Sequence, residues 1–246
     1  MDPPLPWLSP GDPFPPPDAA WNENSEAPGL LAAGGSLDVE TLRRAYTQGT
    51  FPWFSKGQPI LWWAPDPRMV LRVDQFKLHP SFIKTLKKFR ASPVCTVTVD
   101  KAFAQVIRAC ATHRRNGQNG TWIVPAMVTA YEALHAQGLA HSVETWIDGE
   151  LVGGLYCVAL GHAVFGESMF ARVTDASKIA LAGLVCITRE HGVPWIDCQQ
   201  NTRHLASLGA REMPRDLFIA GVQSLAEAPS LRWDFKSVYW SQLLPN

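Results

Sequence analysis

Cysteine is scarce, and its five positions, Cys95, Cys110, Cys157, Cys186 and Cys198, are odd in number and include no CxxC pair. This argues against a disulfide framework or a structural zinc site and predicts a protein kept in the reducing cytosol. Long apolar runs are missing too. The longest uncharged stretch, Leu151 to Phe165, covers 15 residues and is broken by Gly153, Gly154 and Gly161, too short and too interrupted to span a bilayer. No basic segment leads into an apolar core near the N-terminus, so no secretory signal is expected. The phosphate-cradling signatures GxxxxGK[ST] and GxGxxG do not occur, which removes support for nucleotide hydrolysis and for dinucleotide cofactors. His135 and His141 stand six apart without HExxH, and Ser168 in GESMF lacks the second glycine of a GxSxG elbow. Neither a helix-borne zinc pair nor a serine nucleophile is therefore expected.

Apolar residues make up 46% of the 246 positions and charged residues 18%, the balance of a globular chain with room for one large domain or a small and a medium one. Formal net charge is zero but unevenly spread: residues 1 to 40 carry seven acids and no Lys or Arg, whereas residues 72 to 90 carry six bases against Asp74 alone. Bases that converge on one face can hold a phosphate backbone even in a neutral chain; the alternative is that Lys84 to Arg90 form only the solvated side of a helix.

Nine of the twenty prolines fall in the first 28 residues, which read as an irregular arm anchored by Trp7, Phe14 and Trp21. A short helix is expected over 37–48 with Ser36 as its N-cap and Gly49 as its stop. The aromatic segments FPWF (51–54) and LWWAPDPR (61–68) are broken by proline and cannot be regular helix. From about residue 76 the pattern becomes regular. Strand is predicted over 94–99, helix over 101–113 and helix over 125–136 with proline at its start. Strands over 141–147 and 150–158 flank Asp148-Gly149, a hairpin signal, and a further strand ends near Phe165. Then come a helix to Glu190 with Asp175 as its cap, a strand over 194–199 and a helix over 214–226. This order predicts an α+β fold with a central sheet, divided into residues 1–75 and 76–246.

Polar groups set in apolar segments are the candidates for chemistry. In WIDCQ (195–199), strand alternation places Asp197 and Gln199 on one face and Ile196 and Cys198 on the other. Such a pair needs a substrate, or else Asp197 caps the next helix and Gln199 bonds to backbone; left unmet, each group costs about 1–3 kcal/mol. Glu167, an acid within VFGESMF, is a seat for an ammonium group or one half of a structural salt bridge. Lys178 lies in the first turn of a helix, where it answers an acid or a phosphate, or is simply on the surface. Trp53, Trp62, Trp63 and Trp122 either stack on bases or belong to the core.

Several motifs coincide in order: GLLAAGG (29–35), AYTQGTFPWF (45–54), ILWWAPDPR (60–68), GTWIVPAM (120–127), AYEALHAQGLAHSVETW (130–146), LVGGLY (151–156), FGESMF (165–170), ASKIAL (176–181), IDCQ (196–199) and HLASLGA (204–210). Together they closely resemble the bacterial leucyl/phenylalanyl-tRNA–protein transferases. The resemblance implies a small N-terminal domain followed by a GNAT-like acyltransferase domain, whose central sheet is mixed, mainly antiparallel and flanked by helices. It also implies a cytosolic monomer that takes leucine or phenylalanine from aminoacyl-tRNA to the α-amine of proteins beginning with Arg or Lys, marking them for N-end rule degradation. An activated ester becomes an amide, so no metal, nucleotide or cofactor is implied.

By the same resemblance, Asp197, Gln199 and Glu167 are the catalytic positions. A neutral amide is a very weak base, so Asp197 is expected as electrostatic driver, Gln199 as the group touching the amine or the tetrahedral oxygen, and Glu167 as the anchor of the acceptor's amino terminus. Leu155, Met169, Leu181, Leu184 and Ile196 would line the aminoacyl pocket, which has no hydrogen-bond test and should admit methionine as a secondary donor. Trp53, Trp122 and Tyr131 are assigned to the terminal adenosine, and Lys84, Lys87 and Lys88 to the acceptor stem. Two rivals remain. An acyl-CoA-dependent N-acetyltransferase would need [RQ]xxGx[GA], which Arg114 to Asn119 fails at its last position, and a non-catalytic tRNA-binding module would be poorly served by acids at the cleft.

Overall fold

The computed structural model describes residues 4–112 and 123–244; Trp122 and the Arg114–Asn119 segment lie outside them. Strands β1 (Trp7–Leu8) and β2 (Leu30–Gly34) pair in parallel at the start of a small sheet. Helix α1 (Val39–Thr47) follows, capped by Asp38 rather than Ser36: the Asp38 carboxylate accepts from the Thr41 N–H at 2.9 Å and from the Ser36 hydroxyl. A carboxylate meets the orphan N–H groups and the positive helix end better than a hydroxyl does. α1 buries Thr41, Leu42, Ala45 and Tyr46 on one face and stops at Gly49, which takes a left-handed φ of 72°. β3 (Phe51–Pro52) and β4 (Leu61–Trp63) complete the four-stranded sheet in the order β1-β2-β4-β3, with proline confined to the edge strand.

β5 (Arg68–Arg72) precedes the expected division at residue 75 and yet enters the larger sheet. α2 (Pro80–Ala91) buries Phe82, Leu86 and Phe89, which turns Lys84, Lys87 and Lys88 to solvent. β6 (Cys95–Val99), α3 (Phe103–Thr112) and α4 (Pro125–Ala136) lead to β7 (Ala140–Ile147) and β8 (Glu150–Leu160). Their tight turn has positive φ at both Asp148 and Gly149. β9 (Ala163–Ala171) runs six residues past the Phe165 end expected from sequence. α5 (Ala176–Glu190), β10 (Trp195–Asp197), α6 (Arg203–Ser207), β11 (Arg211–Met213) and α7 (Arg215–Ala226) follow, then a short 3-10 segment, Ser237–Gln242. Asp175 does stand at the N-cap of α5, but in a left-handed conformation without a capping bond; its carboxylate takes the Lys178 ammonium at 2.8 Å instead.

The seven strands lie in the order β11-β5-β10-β9-β8-β7-β6, all antiparallel except β9 and β10. Helices cover both faces. Phe103, Tyr131 and Phe218 of α3, α4 and α7 pack one face with the small sheet, while α5 and α2 pack the other through residues such as Ala180, Leu184 and Phe82. The result is an α+β fold with a mixed sheet between helical layers. No helix among the described residues is long and apolar enough to cross a membrane.

Candidate active site

The parallel pair opens the site. β10 pairs with β9 only at Ile196–Val164 and Asp197–Phe165, then parts from it, while β9 continues to Ala171. The two chains diverge like a fork, and a cavity of about 1040 Å³ fills the gap, walled by Gly166–Met169 of β9, Ile196–Gln200 at and beyond the fork, Leu181 and Leu184 of α5, and Phe51 and Trp53 of the small sheet. That volume is at the upper end for a small-molecule site.

A bulge in β9 aims its acid. Tyr156 pairs with Ser168 and Cys157 with Gly166, which leaves Glu167 unmatched. The extra residue shifts the alternation: Phe165 and Phe170 pack one face, Val164 and Met169 the other. Glu167, 9% exposed, thereby meets two tyrosines from the helices behind it. Its Oε1 accepts from the Tyr46 hydroxyl at 2.7 Å and from Gln199 Nε2 at 3.0 Å, and its Oε2 from the Tyr131 hydroxyl at 3.2 Å. The two phenol oxygens are themselves 2.5 Å apart. When Glu167 is ionised, two phenolic protons must serve three oxygen contacts; when it is protonated, three protons close the ring. Burial is the largest influence and pushes the Glu167 carboxyl up to about 7, against the three donors and aided by nearby Asp197. The same burial holds both phenols well above their ordinary range, so they remain donors.

Asp197 is fully enclosed and engaged elsewhere. Arg68 donates to both of its oxygens, Nε at 2.8 Å and Nη2 at 2.7 Å, and the Gln199 main-chain N–H adds a third bond at 2.8 Å. The Arg68 guanidinium also donates to the Gly49 carbonyl at 3.0 Å and lies between the rings of Phe51 and Phe218, 4.7 and 4.5 Å from their centroids. Gln199 is not on the strand: β10 ends at Asp197, and Gln199 adopts a φ of 62° within a tight turn closed by the Gln200 N–H on the Cys198 carbonyl. The expectation that Asp197 and Gln199 share a strand face is therefore corrected. Asp197 touches the Gln199 backbone, and the Gln199 side chain turns to Glu167.

Asp197, Gln199 and Glu167 all border the cavity, as do Leu155, Met169, Leu181, Leu184, Ile196 and Trp53. Tyr131 does not: it is fully buried, with its hydroxyl on Glu167, and it presents no ring to a base. Lys84, Lys87 and Lys88 stand on the outer face of α2, outside the cavity wall. Sequence reasoning missed two residues. Tyr46 reads as ordinary core on the apolar face of α1. Arg68 carried a usable signal, a charge at the head of the apolar strand RMVLR, which demands a partner once buried. No group of three or more His, Cys, Asp or Glu among the described residues could hold a metal ion.

Two family profiles match the chain: the one described as Leucyl/phenylalanyl-tRNA protein transferase over residues 70–223, and its N-terminal domain over residues 35–66. The leucyl/phenylalanyl-tRNA–protein transferase of Albidiferax ferrireducens is 65% identical over 243 residues, 98% of this chain and 95% of the relative. The protein of the same name from Polaromonas sp. is 59% identical over 98% of this chain and 94% of the relative. Among solved structures, L-PGS from Bacillus licheniformis overlays 72% of this chain and 57% of its own at a TM-score of 0.36 and 12% identity. A GCN5-related N-acetyltransferase from Kribbella flavida overlays 70% of this chain and 60% of its own at 0.30 and 11%. With one profile over more than half of its length and relatives this similar end to end, the chain belongs to the leucyl/phenylalanyl-tRNA–protein transferase family.

Proposed function

We propose that this protein moves leucine or phenylalanine, and secondarily methionine, from aminoacyl-tRNA onto the α-amine of proteins beginning with Arg or Lys, marking them for degradation in the cytosol. The observation that carries the reading is one cavity bordered by a near-neutral carboxyl, an amide held against it and five apolar side chains. Leu155, Met169, Leu181, Leu184 and Ile196 hold the donor side chain. Shape and apolarity alone select it, so an unbranched thioether enters too. Trp53 stacks on the terminal adenine, a contact worth about 1–3 kcal/mol. Residues 1–75 supply that wall and Tyr46, and residues 76–246 supply the chemistry, with β5 tying the two together.

Ionised Glu167 receives the acceptor's ammonium and takes one proton from it. The freed nitrogen bonds to the ester carbon while Gln199 Oε1, the amide atom turned from Glu167, accepts from a second N–H. As the carbon–oxygen bond breaks, a nitrogen proton leaves with the ribose oxygen, and Glu167 returns its own proton to water. Positioning supplies most of the rate, because the ester is already activated. The test is a transfer assay with an Arg-initiated peptide and either radiolabelled leucyl-tRNA or radiolabelled acetyl-CoA. Label from leucyl-tRNA alone is expected; label from acetyl-CoA, or from neither, would overturn the reading.

A further inference from the structure

We propose that Arg68 is a positioning residue for transfer: by clamping Asp197 it fixes the turn at Gln199 and so aims the Gln199 amide at Glu167. The inference rests on the function proposed above. The contacts form one chain. Arg68 grips both oxygens of Asp197, Asp197 Oδ1 holds the Gln199 N–H at 2.8 Å, and Gln199 Nε2 reaches Glu167 at 3.0 Å. β5 brackets the same turn through the neighbouring Met69, whose carbonyl accepts from the Cys198 N–H at 2.8 Å and whose N–H donates to the Gln199 carbonyl at 3.3 Å.

Such a clamp is needed because the turn is costly. A positive φ at a residue with a side chain persists only where its surroundings over-determine it, and glycine would be the relaxed choice. The chain has kept a side chain there and surrounded it with fixed partners. Arg68 itself is 1% exposed, and its third bond, to the Gly49 carbonyl, with the stacked ring of Phe51, joins the turn to the wall that carries Trp53. A lysine would keep the charge but lose the planar fork that reaches both oxygens and the carbonyl together.

Arg68→Lys, Gln199→Ala and the combined R68K/Q199A are compared with wild type in leucine transfer across pH, with thermal melts to establish folding. R68K is expected to lower kcat by about 10- to 100-fold, to leave the KM for leucyl-tRNA within about twofold, and to move the pH midpoint of kcat upward, as Q199A does by removing a donor from the Glu167 carboxylate. In the Q199A background R68K should do little more, because its path is already cut. Equal losses in both backgrounds, or an unmoved midpoint, would overturn the proposal. Should R68K not fold, R68M/D197L replaces the buried pair with apolar residues of similar size, an exchange that proteins often tolerate. Folded R68M/D197L with lowered kcat and a KM for leucyl-tRNA within about twofold of wild type supports the clamp; wild-type kcat, or a KM raised in step with the loss, refutes it. No leucine transfer by the wild type would sink the functional reading and this inference with it, whereas transfer with additive losses sinks the inference alone.

Discussion

A carboxyl enclosed by two phenols and an amide titrates where its surroundings put it, and for Glu167 burial puts that point at about 7. If Glu167 takes the amine proton, only its ionised form works, so single-turnover transfer should rise with pH through about 7 and then level off. Glu167→Gln should lower the plateau by about 10²- to 10⁴-fold and erase that inflection; a surviving inflection would assign it to another group. The same shift has a stability consequence of definite sign. The folded pKa lies above the ordinary glutamate value of 4.5, so the folded state holds the proton more tightly, and the associated stability is full below 4.5 and lost as pH rises through 7. Urea unfolding should therefore show wild type losing up to about 3 kcal/mol relative to Glu167→Gln between pH 4.5 and 8. Glu167 was visible in the sequence as an acid in an apolar run, and so was Asp197. Their partners were not, because Tyr46 and Arg68 are 121 and 129 residues away along the chain and only the closed sheet brings them together. The family resemblance assigns Tyr131 to the terminal adenosine and its surroundings, and an aromatic on a helix does not say by itself that its hydroxyl ends against a carboxyl.

Local signals decided which elements could be read in advance. Pro125 begins α4, and Asp148-Gly149 joins β7 to β8, as proline at a helix start and a two-residue turn with positive φ require. The bulge at Glu167 and the departure of β10 after Asp197 have no such marker, since both depend on which strand lies alongside. They are nevertheless what makes the cavity. α5 forms its far wall, and Gly153 sets how closely that helix approaches β8: a Cβ there would stand 2.5 Å from the Ala176 Cβ and 2.7 Å from the Ala176 carbonyl carbon. Backbone at that distance cannot simply rotate away. Gly153→Ala should push the start of α5 outward and cost about 1–3 kcal/mol in chemical denaturation. It should also raise the KM for leucyl-tRNA, because Leu181 and Leu184 ride on the same helix. An unchanged denaturation midpoint would show that α5 is not held by this contact.

For the molecule as a whole, the zero net charge conceals a field. Six bases between residues 72 and 90 face one acid, and α2 turns Lys84, Lys87 and Lys88 outward while Phe82, Leu86 and Phe89 anchor it. No ion pair among the described residues ties up these lysines, so their ammonium groups are free to meet phosphates. Phosphate contacts release counterions, and each one steepens the fall of log affinity with log salt by about 0.7–0.9. If the acceptor stem lies along α2, the combined K84A/K87A/K88A should flatten that slope by about 2–3 in leucyl-tRNA binding. Saturating tRNA should restore transfer, because the lysines stand outside the cavity and do not touch the ester. A slope equal to wild type would move the stem to another face, and a loss of kcat at saturation would mean that α2 does more than hold the phosphates.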